Sequence, residues 1–256
     1  MNIHAGGFWM RQNRLLRIFL GLAVLGVLVA AVVFGYIWFT GGSGVSLTPV
    51  SAPTLAAETN SDDSRTLFRI IPDESEVRFI INEELMGNPT EVVGITNQVA
   101  GDILVDFENP ANTELGTIRI DMATIATNNE MRNRAIRGQI LQSVNPDFQY
   151  AEFVPTAISG LPERVTIGEP FTFQITGNLT VRGATRENTT FEVSVTPVSA
   201  TRLEGTASTQ VLYTDFDMSI PNAPGVANVT EEVGLEIDFV AEAVTDAAAE
   251  ATQSGG

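Results

Sequence analysis

The chain has 256 residues and a net charge of −17, and all 14 of its basic residues are Arg. It contains no Cys, and its one His is His4, so disulfide scaffolds, zinc-thiolate sites and Ser-His or Cys-His nucleophiles are excluded beyond the N-terminus. So acidic a chain lacks the basic face that nucleic acid requires, while 44% hydrophobic residues suffice for a core.

Residues 18–39 (IFLGLAVLGVLVAAVVFGYIWF) carry no charge. A helix of this length, rising about 1.5 Å per residue, crosses a hydrocarbon layer of about 30 Å. Arg11, Arg14 and Arg17 precede the run, and the next basic residue is Arg65. This asymmetry predicts a single-pass membrane protein. Residues 1–17 are its basic cytoplasmic N-terminus, and everything after the span is extracytoplasmic, periplasmic or at the cell surface. Tyr36 and Trp38 fall near the outer end, where aromatic rings favour the interface. The rival reading is a cleaved signal peptide. It fits less well, because its apolar region is shorter and a small-residue cleavage site follows it closely. Gly26 and Ala30 have the spacing of a helix-dimer contact, a candidate homodimer seam, although ordinary membrane-helix composition is the better account of them.

Residues 40–65 are rich in Gly, Ser, Thr, Ala and Pro and read as a flexible linker, with a reach of roughly 25–30 Å as a coil. Residues 245–256 (TDAAAEATQSGG) read as a disordered tail. Eleven of the Arg and all 31 acidic residues follow the span, so the exterior part carries −20. Such a field keeps the domain soluble and discourages close approach to anionic head groups.

The intervening residues 66–244 are the size of one domain, and hydrophobicity there alternates with period two. Runs at 77–81, 103–107, 118–122, 171–175, 191–195 and 233–239 show it, with Phe171, Phe173 and Ile175 between Thr172, Gln174 and Thr176 as one example. One hidden face and one wet face mark antiparallel strands. Many short strands separated by turn signals imply a sandwich or a barrel. Thr127-Asn128-Asn129-Glu130 has capping-box spacing, which predicts one short helix into MRNRAIRGQIL, weakened by Gly138 and ended by Asn145-Pro146.

Several segments carry a resemblance. The entry strand is Phe68-Arg69-Ile70-Ile71-Pro72-Asp73-Glu74-Ser75, followed by Val77-Arg78-Phe79. Gly94, Gly101-Asp102-Ile103 and Ile118-Arg119-Ile120-Asp121 come next. The helix carries Met131-Arg132-Asn133, and Asn145-Pro146 leads to Phe153. The most specific piece is Gly177-Asn178-Leu179-Thr180-Val181-Arg182-Gly183-Ala184-Thr185. Thr214-Asp215-Phe216 and Glu232-Val233-Gly234-Leu235 close the pattern. In this order, over residues 66–244, the domain resembles the YceI-like family of lipid- and polyisoprenoid-binding proteins. The resemblance implies an all-β, lipocalin-like eight-stranded antiparallel barrel with one short inserted helix. It also implies an apolar tunnel for an isoprenoid or similar amphiphile, and a bacterial host. Asn133 stands where the family usually has Asp. Tyr213 and Asp217 stand at its usual basic and Gly positions.

The inward-facing candidates for that tunnel are Phe79, Ile81, Ile103, Val105, Ile120, Met122, Phe153, Phe173, Ile175, Phe191, Val193, Val211 and Leu235. Periodicity alone leaves open whether they fill a solid core or line a cavity, since barrels of this size can be packed through. Arg132, Arg134 and Arg137 are candidates for head-group contacts by charge-assisted forks. The competing reading is a solvated helix face with a Glu130–Arg134 pair. Asp215 and Asp217, two apart on an expected strand, carry too little support for acid–base or metal chemistry. Glu83 and Glu84 read as solvated charge. The expectation is therefore a non-enzymatic, membrane-anchored binder of an isoprenoid or other amphiphilic lipid, with no cofactor, no metal and no nucleic-acid partner. Its rival is a surface-displayed β module with a packed interior and no ligand.

Overall fold

A computed structural model describes residues 49–55 and 65–244. The basic N-terminus, the expected span at 18–39 with Gly26 and Ala30, linker residues 56–64 and the tail at 245–256 lie outside the described residues. Among the described residues no helix is long and apolar enough to cross a membrane.

Thirteen strands form one antiparallel sheet, and several are pieces of a longer path. β1 (Thr66–Ile70) and β2 (Glu76–Leu85) flank a short 3-10 turn at Pro72–Glu74. β3 (Asn88–Thr96), β4 (Val99–Ala100) and β5 (Asp102–Val105) make a second interrupted path, and β6 (Glu114–Leu115) with β7 (Ile118–Asp121) a third. The long strands β8 (Tyr150–Ser159), β9 (Phe171–Val181), β10 (Ala184–Ser199) and β11 (Arg202–Leu212) follow. A short β12 (Val226–Ala227) beside β2 and a final β13 (Glu232–Ala243) complete the sheet. Counted this way there are eight paths, each pairing with the next in chain order. β13 pairs with β11 on one side and with β1 and β2 on the other, so the strongly curled sheet meets its own beginning.

Local chemistry explains the joints. The β2–β3 and β9–β10 hairpins turn on Met86-Gly87 and Arg182-Gly183, each with positive φ at both central residues. That backbone matches the right-handed twist of the strands it joins. The second turn is the centre of the longest quoted motif. Thr180 and Thr185, facing each other across it, share a hydroxyl hydrogen bond of 2.8 Å. At the break between β1 and β2, the buried Ser75 hydroxyl donates to the Ile71 carbonyl at 2.8 Å and accepts from the Val240 amide at 3.1 Å. The break is thereby tied to β13.

Asp102 is a buried carboxylate on β5. Arg69, its partner in register on β1, donates from Nε at 2.9 Å and from Nη2 at 3.1 Å. These hydrogen bonds hold the guanidinium more basic than usual, outweighing the opposing effect of partial burial. The Leu55 amide also donates to Asp102, and Arg119 donates to the Ser51 carbonyl. Residues 49–55, part of the expected linker, therefore lie against the barrel wall with Val50 buried.

The one α-helix among the described residues, α1 (Glu130–Ala135), continues into a π-helical turn at Ile136–Ile140. Its cap is Asn129, two residues later than the expected Thr127, with the side-chain oxygen accepting from the Met131 and Arg132 amides. Thr127 serves Asn133 instead. The fully buried Asn133 carboxamide accepts from the Thr127 amide and hydroxyl, and donates to the Thr127 carbonyl and Glu130 Oε1. A carboxylate could fill the first role but not the second, which accounts for Asn at this position. Asp217 has no such explanation, since its backbone is one that Gly would suit. It takes a left-handed backbone (φ 54°), and its carbonyl accepts from Arg182 Nη1 at 2.7 Å.

Asn133→Asp should lower stability by about 1–3 kcal/mol at neutral pH, because a carboxylate would face an unpaired carbonyl and Glu130. Repulsion raises the folded-state pKa of the new acid, so the loss should shrink below that pKa, where the protonated group regains a donor. Thermal unfolding of the full chain at two pH values checks both the loss and its sign. Asp217→Gly should raise the melting temperature slightly, by relieving the left-handed strain of a side-chain-bearing residue.

Candidate functional site

The inward side chains meet in register. Phe173, Val193, Ala207, Ile237 and Val77 stand opposite one another around five adjoining strands. They do not close the centre. An apolar cavity of about 180 Å³ runs inside the barrel, lined almost throughout by hydrocarbon and aromatic surface. Eleven of the thirteen candidates line it. On the earlier strands and the segment after β7 these are Phe79, Ile103, Val105, Ile120 and Met122. On the later strands they are Phe153, Phe173, Ile175, Phe191, Val193 and Leu235.

Ile81 and Val211 are buried but do not line the cavity. Ile81 lies on β2 beyond the stretch that pairs with β13. Val211 comes just before the turn that carries Phe216. The list also missed residues. Phe171, Ile237 and Phe239 continue the same period-two faces and were legible from it. Leu161 and Val165 come from the β8–β9 loop, where no periodicity announces them.

Ile125, Ile136, Leu141, Val181 and Phe216 belong to the buried core, and of these Ile125 and Val181 line the cavity. At the end where β9 begins, Phe107, Phe171, Phe173, Leu161 and Val165 line the cavity half-buried, beside the buried Val105, Val195 and Leu203. β1 begins at this same end, where Thr66 pairs with the lining residue Val105. Phe171 and Phe173 stack here with centroids 5.7 Å apart.

Three lining rings lie down on the wall. Phe79 pairs directly with Gly94, and Phe239 with Gly205. Phe153 lies over Gly177. A Cβ at Gly94 would overlap the Phe79 ring, and one at Gly205 would come within 2.7 Å of the Phe239 ring. At Gly177 the distance to the Phe153 ring would be 2.6 Å. Each glycine thus leaves room for a ring that would otherwise stand up into the lumen.

Polar chemistry is kept outside. Arg132 pairs with Glu83 of β2 at 2.7 Å, and Glu83 is largely buried there rather than solvated. Arg137 is turned into the protein, its Nη1 donating to the Ile125 carbonyl at 3.5 Å. Arg134 is exposed. The three Arg are not gathered into one head-group site, and none lines the cavity. Asp215 belongs to a 3-10 turn, not a strand. It accepts from the Leu212 amide and pairs with Arg186 at 3.3 Å, so it forms no carboxylate pair with Asp217. Among the described residues no cluster of His, Cys, Asp or Glu has the arrangement of a metal site. On the wet face Arg78 bridges Glu76, Glu236 and Asp238, and Arg202 bridges Glu74, Glu204 and Glu242. Hydrogen bonds donated to these acids hold both guanidinium groups more basic than usual, Glu76 acting most strongly on Arg78 and Glu74 on Arg202.

Comparison with solved structures finds the same fold. A polyisoprenoid-binding domain from Saccharophagus degradans, implicated in plant cell wall breakdown, matches with a TM-score of 0.55 at 14% identity, over 69% of this chain and 98% of that one. BcnA of Burkholderia cenocepacia matches with a TM-score of 0.50 at 20% identity, over 67% and 98%. Comparison with curated proteins returns no match. The model of the YceI-like domain matches residues 68–241, nearly the whole described barrel, and the chain belongs to that family.

Proposed function

We propose that the barrel holds an isoprenoid or similar amphiphilic lipid in its lumen, for storage or transfer. The observation that carries this reading is the cavity of about 180 Å³, walled by apolar side chains that leave the middle empty. For scale, an apolar cavity of roughly 150 Å³ stays dry and accepts benzene. A prenyl chain entering such a space gains about 0.8 kcal/mol for each methylene equivalent removed from water, with no need of directional partners. The packed module without a ligand requires side chains that touch across the centre, and the cavity argues against it. The solved relative described as polyisoprenoid-binding supports the choice of lipid class.

In this reading the lipid enters at the end where β1 begins, beside the half-buried lining residues Leu161 and Val165 of the β8–β9 loop. The protein acts by binding and not by catalysis. Asp215, weighed for acid–base chemistry with Asp217, is engaged by Arg186. Residues 18–39 anchor the chain in a membrane with the barrel on the extracytoplasmic side. The uncharged run and the Arg residues ahead of it support that placement.

The test is to purify the full chain from its expressing cells, extract it with organic solvent and identify bound lipid by mass spectrometry. A prenyl lipid near one per chain is expected. An empty native chain that also fails to take up added geranylgeraniol overturns the reading. Leu235→Glu, which places a carboxylate on the cavity wall, should cut occupancy by roughly tenfold or more. Circular dichroism should show the β signal retained in that variant.

A further inference from the structure

We propose that the Gly94–Phe79 pair sets the bore of the lumen, and with it the capacity to accept a methyl-branched apolar chain. This rests on the lipid-binding reading above. β3 presents Val92, Gly94 and Thr96 as its buried, inward set, so Gly94 stands where a side chain would otherwise fill space. Phe79, in register opposite Gly94, is held flat over it and lines the cavity. On its other side Phe79 pairs with Leu235, a second lining residue.

Gly94 differs from the other two glycines in what surrounds it. A Cβ at Gly205 would meet the Ser194 carbonyl oxygen at 2.6 Å, and one at Gly177 the Val154 carbonyl oxygen at 2.5 Å. Substitution there would push on the ladder itself. At Gly94 the three nearest atoms all belong to the Phe79 ring. A methyl group added at this point displaces the ring and not the backbone, and the open space beside the ring is the lumen. A branched chain needs a wider bore than a straight one, so it should feel the displaced ring first.

The test uses the full chain released from dodecyl maltoside micelles in native mass spectrometry, with geranylgeraniol or straight-chain eicosanol added. Gly94→Ala should lower the geranylgeraniol adduct about tenfold, the equivalent of roughly two buried methylenes, and the eicosanol adduct less. The double variant Gly94→Ala with Phe79→Leu should restore geranylgeraniol binding, and a native-like melting temperature with a retained eicosanol adduct shows that the single variant is folded. Native-like geranylgeraniol binding by Gly94→Ala overturns the proposal while leaving the binding reading intact. Failure of the double variant to recover also overturns it. A native chain that takes neither alcohol overturns the binding reading, and this proposal with it.

Discussion

A sheet that pairs with itself around a ring must point every second side chain at a common axis. With eight strand paths the space on that axis is just enough for those side chains to fill, or for one guest to occupy. The contents of the inward positions decide between the two. Here β10 and β13 contribute Phe191, Val193, Leu235 and Ile237, large enough to meet. Of these, Val193 and Ile237 stand opposite Ala207, while Phe79 and Phe239 pair with Gly94 and Gly205 and Phe153 lies over Gly177. Large groups fold onto small ones along the wall, and the axis stays clear. The cavity is a property of paired residues, distributed around the ring, and no single strand carries it.

The same ring needs seals where its strands are interrupted. Ser75, Asp102 and Asn133 are buried polar residues, and each sits at a break or an insertion with its hydrogen-bonding capacity used. A polar group buried without partners costs more than a paired one gains, so these contacts specify where the path bends. Charged groups are handled on the outer face, where Arg forks bridge neighbouring strands. The lumen is left almost without polarity, as an apolar guest requires.

Much of this was legible before the fold was known. Alternation at 171–175, 191–195 and 233–239 marks strands that the structure contains, and the same alternation names most of the cavity wall. The helix was legible as well, although its cap falls at Asn129 because Thr127 is committed to Asn133. Other features depend on partners far along the chain. Whether Phe79 stands up or lies down depends on Gly94 across the ladder, and period-two reading of one strand carries no such information. That Glu83 meets Arg132, and Asp102 meets Arg69, likewise follows from register between distant segments. For this reason local pattern could not choose between a filled and an empty barrel, and the family resemblance was needed to favour the empty one. Leu161 and Val165 were illegible because a loop has no period to reveal which side chain turns inward.

The seam between β2 and β13 has a consequence for how the molecule comes into being. Its partners are far apart in the chain: Arg78 and Glu236, joined across it, are separated by 158 positions. Contacts of such long range carry a large loop-closure cost and form late. Until the last strand arrives, two unpaired edges are exposed, each a template for another copy of the chain. Once it docks, neither edge is on offer. The vulnerable species is therefore the nearly complete chain waiting for its final strand, and the finished barrel is protected from strand exchange by the same closure that encloses its interior.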